Sequence, residues 1–367
     1  MNFIKARLPG LACVFVLCVI LYLGLNPFHT PSNAVRWLTN QNGLRLSRFG
    51  TVLSAGSFSA ASGDNAPSTL EIWLRPDRDD VSDCILGFSS PDNPDKFTIQ
   101  QYYSSFVFSR RARPGARITH GGADDVFKRL RPVFVTITTG PQGSAMYVDG
   151  ALVNTLSGYH LANDFTGQLV LGTSPVANES WRGELLGLAI YRRDLTSMEV
   201  RRHFETWTKQ GKPQGDDGAV AIYLFNEHSG DVAHNAIGGG IDLQIPGKYT
   251  ILHQRFMEPF WQEFTEDQSY WKDALINVIG LVPLGFVFYA YWSRVRSLRR
   301  ALLITTLFGL AVSLTIELLQ STLPTRNSGT SDLFTNTFGT FLGAKLCDTK
   351  LGKVLLEWFY PPRQDPD

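Results

Sequence analysis

The sequence predicts a multi-domain protein with two kinds of fold, an α-helical membrane bundle of about four spans and an extracytoplasmic all-β jelly-roll sandwich. Three observations lead to this prediction. Residues 1–28 and 272–347 are apolar, whereas the chain between them is polar and strand-like. Basic residues are concentrated on one side of the apolar segments, and such a bias sets the orientation of membrane helices. A short polar motif opens two apolar segments, and polar groups at membrane depth are usually functional.

The length and charge of the chain limit what it can be. Its 367 residues are enough for two or three domains. The net charge of +1 gives no electrostatic reason to expect a nucleic-acid partner. Of the four cysteines, only Cys84 lies in the strand-rich middle, so that domain cannot form an internal disulfide. Disulfides indicate an oxidising compartment where they occur, but their absence leaves the compartment open.

The first apolar run, residues 8–25, follows the basic residues Lys5 and Arg7. Its length fits the roughly 17–25 residues that a membrane-spanning helix needs, so we predict that residues 1–28 contain the first transmembrane helix. The alternative is a cleaved signal peptide, which needs small residues at its cleavage site. The residues that close the run, 22–28, are bulky, which favours the uncleaved helix.

The distribution of basic residues predicts the topology. Besides Lys5 and Arg7, four arginines fill the short loop between the apolar segments 274–292 and 301–319: Arg294, Arg296, Arg299 and Arg300. Cytoplasmic loops are enriched in Lys and Arg, so we place the N-terminus and this loop on the cytoplasmic side of a plasma (inner) membrane. The middle domain, residues 42–265, is then extracytoplasmic, and the second and third helices run inward and outward.

A fourth apolar segment, residues 334–344, is short for a span. Two interpretations stay open: a helix that returns inward and a re-entrant hairpin. Gly339 and Gly343 form a G-x3-G pair, a spacing that lets helix backbones approach closely in lipid. The tail that follows, residues 348–367, contains an apolar stretch rich in aromatic residues, which we expect at the cytoplasmic interface of the membrane.

The repeated polar motif reads D-x3-N-x2-G. Its two copies are formed by Asp273, Asn277 and Gly280, and by Asp332, Asn336 and Gly339. On the predicted topology, both copies reach the outer face of the membrane, together with the end of the third apolar segment and the loop after it. We therefore predict an outer polar cluster, whose members are Asp273, Asn277, Glu317, Gln320, Arg326, Asp332 and Asn336.

A structural interpretation of the outer polar cluster competes with the functional one. Asp at a helix start is an ordinary cap, which explains the two aspartates but not the two asparagines or Glu317, about a turn deeper. In a functional site, Glu317 would act as a base or proton carrier, and Arg326 would bind a phosphate or carboxylate. We expect Arg326 to pair with Glu317 or Asp332. No catalytic or metal-binding residue is assigned.

The polar motifs follow one another in a specific order. They read Asp273-x3-Asn277-x5-Pro283-Leu284-Gly285, Ser313-x3-Glu317-Leu318-Leu319-Gln320 and Pro324-x-Arg326-x5-Asp332-x3-Asn336-x2-Gly339-x3-Gly343. This order resembles the VanZ-like membrane protein family over residues 272–347, with the first helix as a separated first span. The resemblance implies a small bacterial envelope membrane protein and no particular reaction. The chain departs from the family by its large domain between the first two spans.

The middle domain carries strand signals between residues 42 and 265. Segments that alternate apolar and polar side chains, or are short and apolar, predict strands at residues 69–76, 133–138, 145–153, 169–172 and 183–191. Asp149-Gly150 predicts a hairpin turn, because this dipeptide tolerates positive φ. Thr196 followed by Glu199 predicts a capped short helix. Many short strands with few helices are typical of a sandwich or jelly roll.

Five of these pieces carry a second resemblance: the strand with Trp73-x-Arg75-Pro76, the hairpin Tyr147-Val148-Asp149-Gly150, the strand that ends in Leu171-Gly172, the strand Gly183–Tyr191, and Leu195-x3-Glu199. Their order is similar to the concanavalin A-like, laminin-G-like jelly roll over residues 45–207. A strand that usually opens such a domain comes last here, so we predict that residues 219–245 supply a permuted closing strand. The resemblance implies glycan or protein binding and, in some members, calcium, which cannot be assigned to residues here; no other cofactor is expected.

Two functional hypotheses remain. In the first, the jelly roll binds an envelope glycan or protein partner, and the helices anchor it in the lipid bilayer. In the second, the outer polar cluster makes the chain a membrane enzyme or carrier for an amphiphilic, lipid-linked substrate at the outer leaflet. We favour the first as the description of the whole chain. No carboxylate pair for glycoside hydrolysis is evident in the middle domain. Homo-oligomerisation stays open.

Overall fold

The structure is a computed structural model that describes residues 2–59, 66–161, 164–213, 218–264 and 268–359. The chain divides into two compact units. One unit is Thr30–Gln254, and the other combines Met1–His29 with Arg255–Asp367. The first is built from strands and the second from helices, as the change from polar to apolar sequence predicts.

The described residues of Thr30–Gln254 form two antiparallel sheets of eight strands each. The first sheet has the order β1 (Val35–Trp37), β2 (Leu44–Leu46), β13 (Gly183–Tyr191), β4 (Ser68–Pro76), β9 (Val133–Gly140), β10 (Gly143–Val148) and β11 (Ala151–Ser157), with β14 (Ala219–Tyr223) also paired to β13. The second has the order β15 (Val232–Ala233), β16 (Leu243–Gln244), β3 (Val52–Phe58), β12 (Gly167–Leu171), β5 (Ser82–Ser90), β6 (Asn93–Tyr102), β7 (Ser105–Arg110) and β8 (Thr119–Ala123). The predicted all-β sandwich is confirmed.

The main core lies between the two sheets. Alternate residues of a strand point to the same face, so Leu70, Ile72 and Leu74 of β4 enter one cluster with Phe97 and Ile99 of β6. All five are buried. Fully burying one such side chain contributes about 1.5–3 kcal/mol to folding. The period-two pattern of the sequence therefore becomes the packing of one sheet on the other.

Helix α2 (Ser197–Gln210) covers the outer face of the first sheet. Its N-terminus carries the predicted capping box: the Thr196 side chain accepts from the Glu199 backbone N–H, and the Glu199 carboxylate accepts from the Thr196 N–H at 2.8 Å. Trp207 is fully buried against the sheet. A Cβ at Gly187 of β13 would overlap the Trp207 ring, so the helix can pack this closely only above a glycine.

The predicted hairpin is confirmed between β10 and β11. Val148 is paired with Ala151, and the two residues between them have positive φ, 51° at Asp149 and 77° at Gly150. Asp149 also accepts a 3.0 Å hydrogen bond from the backbone N–H of Phe134 and pairs with Arg131. These contacts give Asp149 the structural role that its turn position suggests.

The segment after α2 contributes a strand to each sheet. β14 is paired with β13, with Ile222 opposite Ala189, and β16 is paired with β3, with Leu243 opposite Ser54. Tyr223 and Leu243 are both fully buried in the main core. The three short strands within residues 219–245 thus belong to the sandwich, and Tyr223 and Leu243 add apolar side chains to its centre.

The second unit consists of helices packed on one another. Their bounds are α1 (Asn2–Leu25), α3 (Phe260–Glu263), α4 (Gln268–Trp292), α5 (Leu298–Gln320), α6 (Thr330–Leu346) and α7 (Lys350–Phe359). Among the described residues, Tyr270–Trp292 and Leu298–Gln320 are long and apolar enough to cross a membrane. Pro9–Leu25 is a shorter apolar helix, and α6 has 17 residues. Two candidate spans are therefore shown, and the other two belong to the proposal below.

Helices α4 and α6 pack side by side in the same direction. A Cβ at Gly339 would overlap the backbone carbonyl of Val278, and a Cβ at Gly343 would overlap that of Val282. The G-x3-G pair therefore allows the two backbones to touch, as its spacing predicts. By contrast, Gly280, which matches Gly339 in the repeated motif, has open space where its Cβ would be.

Candidate functional site

The carboxylate of Glu317 lies at the start of α6. Its Oε2 accepts a 3.0 Å hydrogen bond from the backbone N–H of Gly329, the residue that caps α6, and the Ser328 hydroxyl donates to the Glu317 backbone carbonyl at 3.2 Å. Glu317 is only 1% exposed. A negative charge is favourable beside a helix N-terminus, where backbone N–H groups and the helix dipole converge. This geometry connects the end of α5 to the start of α6.

Asn336 of α6 lies one turn further along the α5–α6 interface. Its Nδ2 donates a 3.0 Å hydrogen bond to the hydroxyl of Ser313, and both residues are buried. Its Oδ1 is also buried, and among the described residues it has no hydrogen-bond partner. A buried acceptor without a partner costs about 1–3 kcal/mol. The Asn336 amide is therefore only partly satisfied.

Asn277 of α4 donates a 2.7 Å hydrogen bond to Oδ1 of Asp332 at the start of α6. The asparagine of the first motif thus contacts the aspartate of the second. The aspartate of the first motif, Asp273, is exposed on α4. The two asparagines, Asn277 and Asn336, therefore have different partners, although they occupy equivalent places in the repeat.

The two asparagines differ because they face different helices: Asn277 faces α6, whereas Asn336 faces α5. Contacts between α4 and α6 join positions with different offsets. Val278 lies against Gly339, an offset of 61 positions, whereas Gly285 lies against Thr340, an offset of 55. The offset of the repeated motifs, 59 positions between Asn277 and Asn336, lies between these values. Neither motif alone contains this information.

Gln320 and Arg326 both bind the end of α1. The Gln320 side chain donates a 2.7 Å hydrogen bond to the backbone carbonyl of Gly24, and an Arg326 Nη2–H donates to the carbonyl of Asn26. These carbonyls are among those that the end of α1 leaves without helical partners. The expected pairing of Arg326 with a carboxylate of the cluster stays a prediction.

The structure brings most of the predicted cluster to one end of the helical unit, in three groups: Glu317 with Gly329, Asn336 with Ser313, and Asn277 with Asp332. Sequence reasoning gave no role to Ser313 or Gly329. Ser313 precedes Glu317 by four residues in an apolar helix, and this spacing places both on one helix face. Among the described residues, no group of three or more His, Cys, Asp or Glu side chains is arranged to hold a metal ion.

The tryptophans of the middle domain have structural roles. Trp181 is fully buried in the main core, and its Nε1–H donates a 2.8 Å hydrogen bond to Oε1 of Gln101. Trp73 packs against the buried cluster between the first sheet and α2. Beside this cluster, Glu71 is fully buried, and its carboxylate accepts a 3.0 Å hydrogen bond from Nδ1 of His203. Trp181 and Trp73 therefore contribute to the packing of the sandwich.

Comparison with known proteins confirms both resemblances. The model of the VanZ/LLP1 family matches residues 220–351, and that of the concanavalin A-like lectin/glucanases superfamily matches residues 51–201. The first match starts upstream of residue 272, where the sequence motifs begin, and includes β14 to β16. The protein therefore combines a VanZ-like segment with a lectin-like β-sandwich. No curated protein matches the chain.

Several solved structures are similar to part of the chain. The binding domain of Paraclostridial Mosquitocidal Protein 1 aligns with a TM-score of 0.38 and 13% identity, covering 49% of this chain and 47% of that one. The receptor binding domain of botulinum neurotoxin D aligns with a TM-score of 0.36 and 13% identity, covering 51% of each chain. A structure of botulinum neurotoxin type C, whose title reports interaction with two ganglioside molecules, aligns with a TM-score of 0.35 and 12% identity, covering 48% and 45%. The chain spans about half the length of these structures.

Proposed function

We propose that this protein is a multi-pass protein of the bacterial plasma membrane whose extracytoplasmic β-sandwich binds a glycan of the cell envelope. The single observation that carries the proposal is the division of the chain into a lectin-like sandwich and a helical unit with candidate spans. Each unit has a buried core of its own. Such a division is what a membrane-anchored binding protein requires, because the binding module folds in water and the anchor in lipid.

The directions of the helices support four spans. Gly309 of α5 lies against Thr340 of α6, and Ser313 binds Asn336, so α5 and α6 run in opposite directions. α4 runs parallel to α6. α1 runs opposite to α4, since the end of α1 at Gly24 binds Gln320 at the end of α5, and the middle of α1 at Cys13 contacts Val287 near the end of α4. Four helices that alternate in direction along the chain are expected of four consecutive spans, with the arginine-rich α4–α5 loop in the cytoplasm.

The contacts of the predicted cluster favour an anchor over an enzyme. Glu317 binds the first turn of α6, and Gln320 and Arg326 bind the end of α1. Each of these side chains satisfies backbone groups at a helix end, which water cannot reach inside a bilayer. These hydrogen bonds to helix ends are a sufficient reason for polar residues in an apolar segment.

A specific observation favours a second function, that of an enzyme or carrier for a lipid-linked amphiphile at the outer leaflet. Oδ1 of Asn336 is buried without a hydrogen-bond partner among the described residues, and the amide group binds Ser313, which lies one turn before Glu317 on α5. A substrate hydroxyl or ammonium group would satisfy this acceptor. Reconstituted protein tests this function with a fluorescent lipid phosphate: transport or cleavage that Asn336→Ala abolishes would favour it over simple anchoring.

Glycan binding is tested with the full chain in detergent. The protein is applied to an array of purified peptidoglycan fragments, teichoic acids, capsular polysaccharides and lipopolysaccharide, with dextran as a neutral reference. We expect selective retention of at least one envelope glycan, with release by the same glycan in solution. Binding to none of them, or equal binding to dextran, would overturn the proposal. Cross-linking of one stoichiometric envelope protein in the absence of glycan binding would replace the glycan by a protein partner.

A further inference from the structure

A cavity of about 500 Å³ opens at one end of the β-sandwich. Its walls come from the turn between β5 and β6, the end of β7 with the loop after it, and the loop between β11 and β12. The size lies within the range of about 300–1,000 Å³ that is usual for small-molecule sites. Sequence analysis predicted no site here, because the walls are far apart in the chain.

The walls of this cavity are strongly basic. Four cationic side chains line it against a single carboxylate, that of Asp164; the cations are Lys96, Arg110, Arg111 and Arg113. Arg110 Nε lies 2.7 Å from Oδ2 of Asp164, and Arg111 pairs with Asp95 at 2.9 Å. Even with both pairs counted, positive charge is in excess. Concave walls of low dielectric concentrate such a field and attract anions.

Neutral polar groups complement the charge. Asn93 is 8% exposed, and its Nδ2 donates a 2.8 Å hydrogen bond to the backbone carbonyl of Arg111. Its Oδ1 is buried and has no hydrogen-bond partner among the described residues. His160 Nδ1 lies 3.0 Å from the backbone carbonyl of Gly140, so Nδ1 donates and Nε2 is left as an acceptor in the neutral ring. Two acceptors beside a basic wall suit the hydroxyl groups of a sugar.

We propose that this cavity binds an acidic saccharide, a sugar unit that carries a carboxylate or phosphate, with its anion on Arg110 and Arg113 and its hydroxyl groups on Asn93 and His160. The inference rests on the proposed glycan-binding function and specifies its ligand. A guanidinium group binds the planar carboxylate or a phosphate through paired hydrogen bonds. The alternative, that the basic residues serve only the two structural ion pairs, leaves Arg113 and the unsatisfied Asn93 acceptor unexplained.

The test uses the full chain in detergent and isothermal titration with oligogalacturonate, its neutral methyl ester, and glucose 6-phosphate. We expect oligogalacturonate to bind at least tenfold more tightly than the ester, and its affinity to fall with salt. Glucose 6-phosphate distinguishes the two anions: tighter binding than oligogalacturonate assigns the site to phosphorylated sugars, and weaker binding to uronates. Equal affinity for the acidic oligomer and its ester would overturn the inference.

Matched variants locate the binding. Arg113→Gln removes one exposed cation from the cavity, and we expect it to weaken binding of the preferred acidic sugar at least fivefold. Arg201→Gln makes the same charge change on α2, and we expect it to leave the affinity unchanged. Equal affinities of the two variants would overturn the assignment. Retention on the glycan array without any effect of Arg113→Gln would refute this site alone, whereas the absence of all glycan binding would refute the proposed function as well.

Discussion

The amide of Asn277 donates a 2.7 Å hydrogen bond to the carboxylate of Asp332, so the two copies of one motif bind each other across α4 and α6. The contact lies at the start of α6, because Asp332 is in the first turn of that helix, whereas Asn277 is the tenth residue of α4. A carboxylate in the first turn also interacts favourably with the helix dipole. The contact therefore fixes the register of the start of α6 against α4.

Removal of this contact should destabilise the helical unit. We expect Asn277→Ala to lower the free energy of unfolding by about 1–2 kcal/mol, because interhelical hydrogen bonds in membranes contribute roughly this much. Asp332→Asn should have a smaller effect, and the double variant should lose less than the sum of the two. Asp273→Asn, at the exposed equivalent position, is the control and should change stability by less than about 0.5 kcal/mol. Thermal unfolding in detergent measures all four, and additive losses would contradict the contact.

The glycines of the G-x3-G pair should tolerate less change than Gly280 of the first motif copy. We expect Gly343→Leu to separate α4 from α6 and to prevent stable folding, because its side chain would meet the backbone of α4 at Val282. Gly280→Ala should be neutral or stabilising, since the space around it is open and Ala favours helix over Gly by about 1 kcal/mol. Size-exclusion chromatography and melting curves compare the two. Equal losses would show that α4 and α6 do not pack as described.

The proposed topology can be measured with reporter fusions. Alkaline phosphatase is active only after export, so a fusion after Gly211 should be active and a fusion after Arg296 inactive. The reason is the concentration of arginines in the α4–α5 loop, which favours the cytoplasm. Green fluorescent protein at the same two positions is the reciprocal control, since it should fluoresce only after Arg296. The opposite pattern would place the β-sandwich in the cytoplasm and exclude its contact with an envelope glycan.

Glu317 and Arg326 test whether the predicted cluster acts as one unit. We expect Glu317→Ala to destabilise the protein by about 3 kcal/mol or more, because the buried N–H of Gly329 loses a charged acceptor. Glu317→Gln keeps an acceptor and should cost less. If Glu317 and Arg326 are coupled, Glu317→Gln and Arg326→Gln should together lose less than the sum of their separate losses. Ser321→Ala and Thr322→Ala are controls in the same loop. Losses of stability of the same size in these variants would show that any substitution in this loop destabilises the protein.

Much of the β-sandwich could be predicted because its information is local. The turn at Asp149 and Gly150 and the cap at Thr196 each depend on a few neighbouring residues, and the strands follow a period of two. The contact between Asn277 and Asp332 could not be predicted, because it depends on the register of α4 against α6. The basic cavity was missed for the same reason: Lys96, Arg110 and Asp164 meet only after β6 pairs with β7 and Asp164 binds Arg110.

The last prediction concerns the pH dependence of the basic cavity. Burial raises the pKa of Asp164 to about 6, although Arg110 and Lys96 oppose this shift. Burial also lowers the pKa of Lys96 to about 8, against the effect of Asp164. Arg111, Arg113 and His160 are the other ionisable groups of the walls. Protonation of Asp164 below pH 6 removes the only carboxylate among the described residues that line the cavity, and deprotonation of Lys96 above pH 8 removes a cation.

Both changes act in the same direction on an acidic sugar. We expect the affinity for oligogalacturonate to rise by about tenfold between pH 7.5 and pH 5, since a carboxylate several ångströms from the ligand anion contributes about 1–3 kcal/mol of repulsion. Asp164→Asn should bind oligogalacturonate more tightly than the wild type at pH 7.5, and it should not show the rise in affinity between pH 7.5 and pH 5. The raised pKa means that the folded protein holds a proton more strongly than the unfolded chain, so the wild-type melting temperature should also fall relative to Asp164→Asn as pH rises from about 4 to about 6. An affinity that is independent of pH, or the same pH step in Asp164→Asn, would contradict the role of this carboxylate.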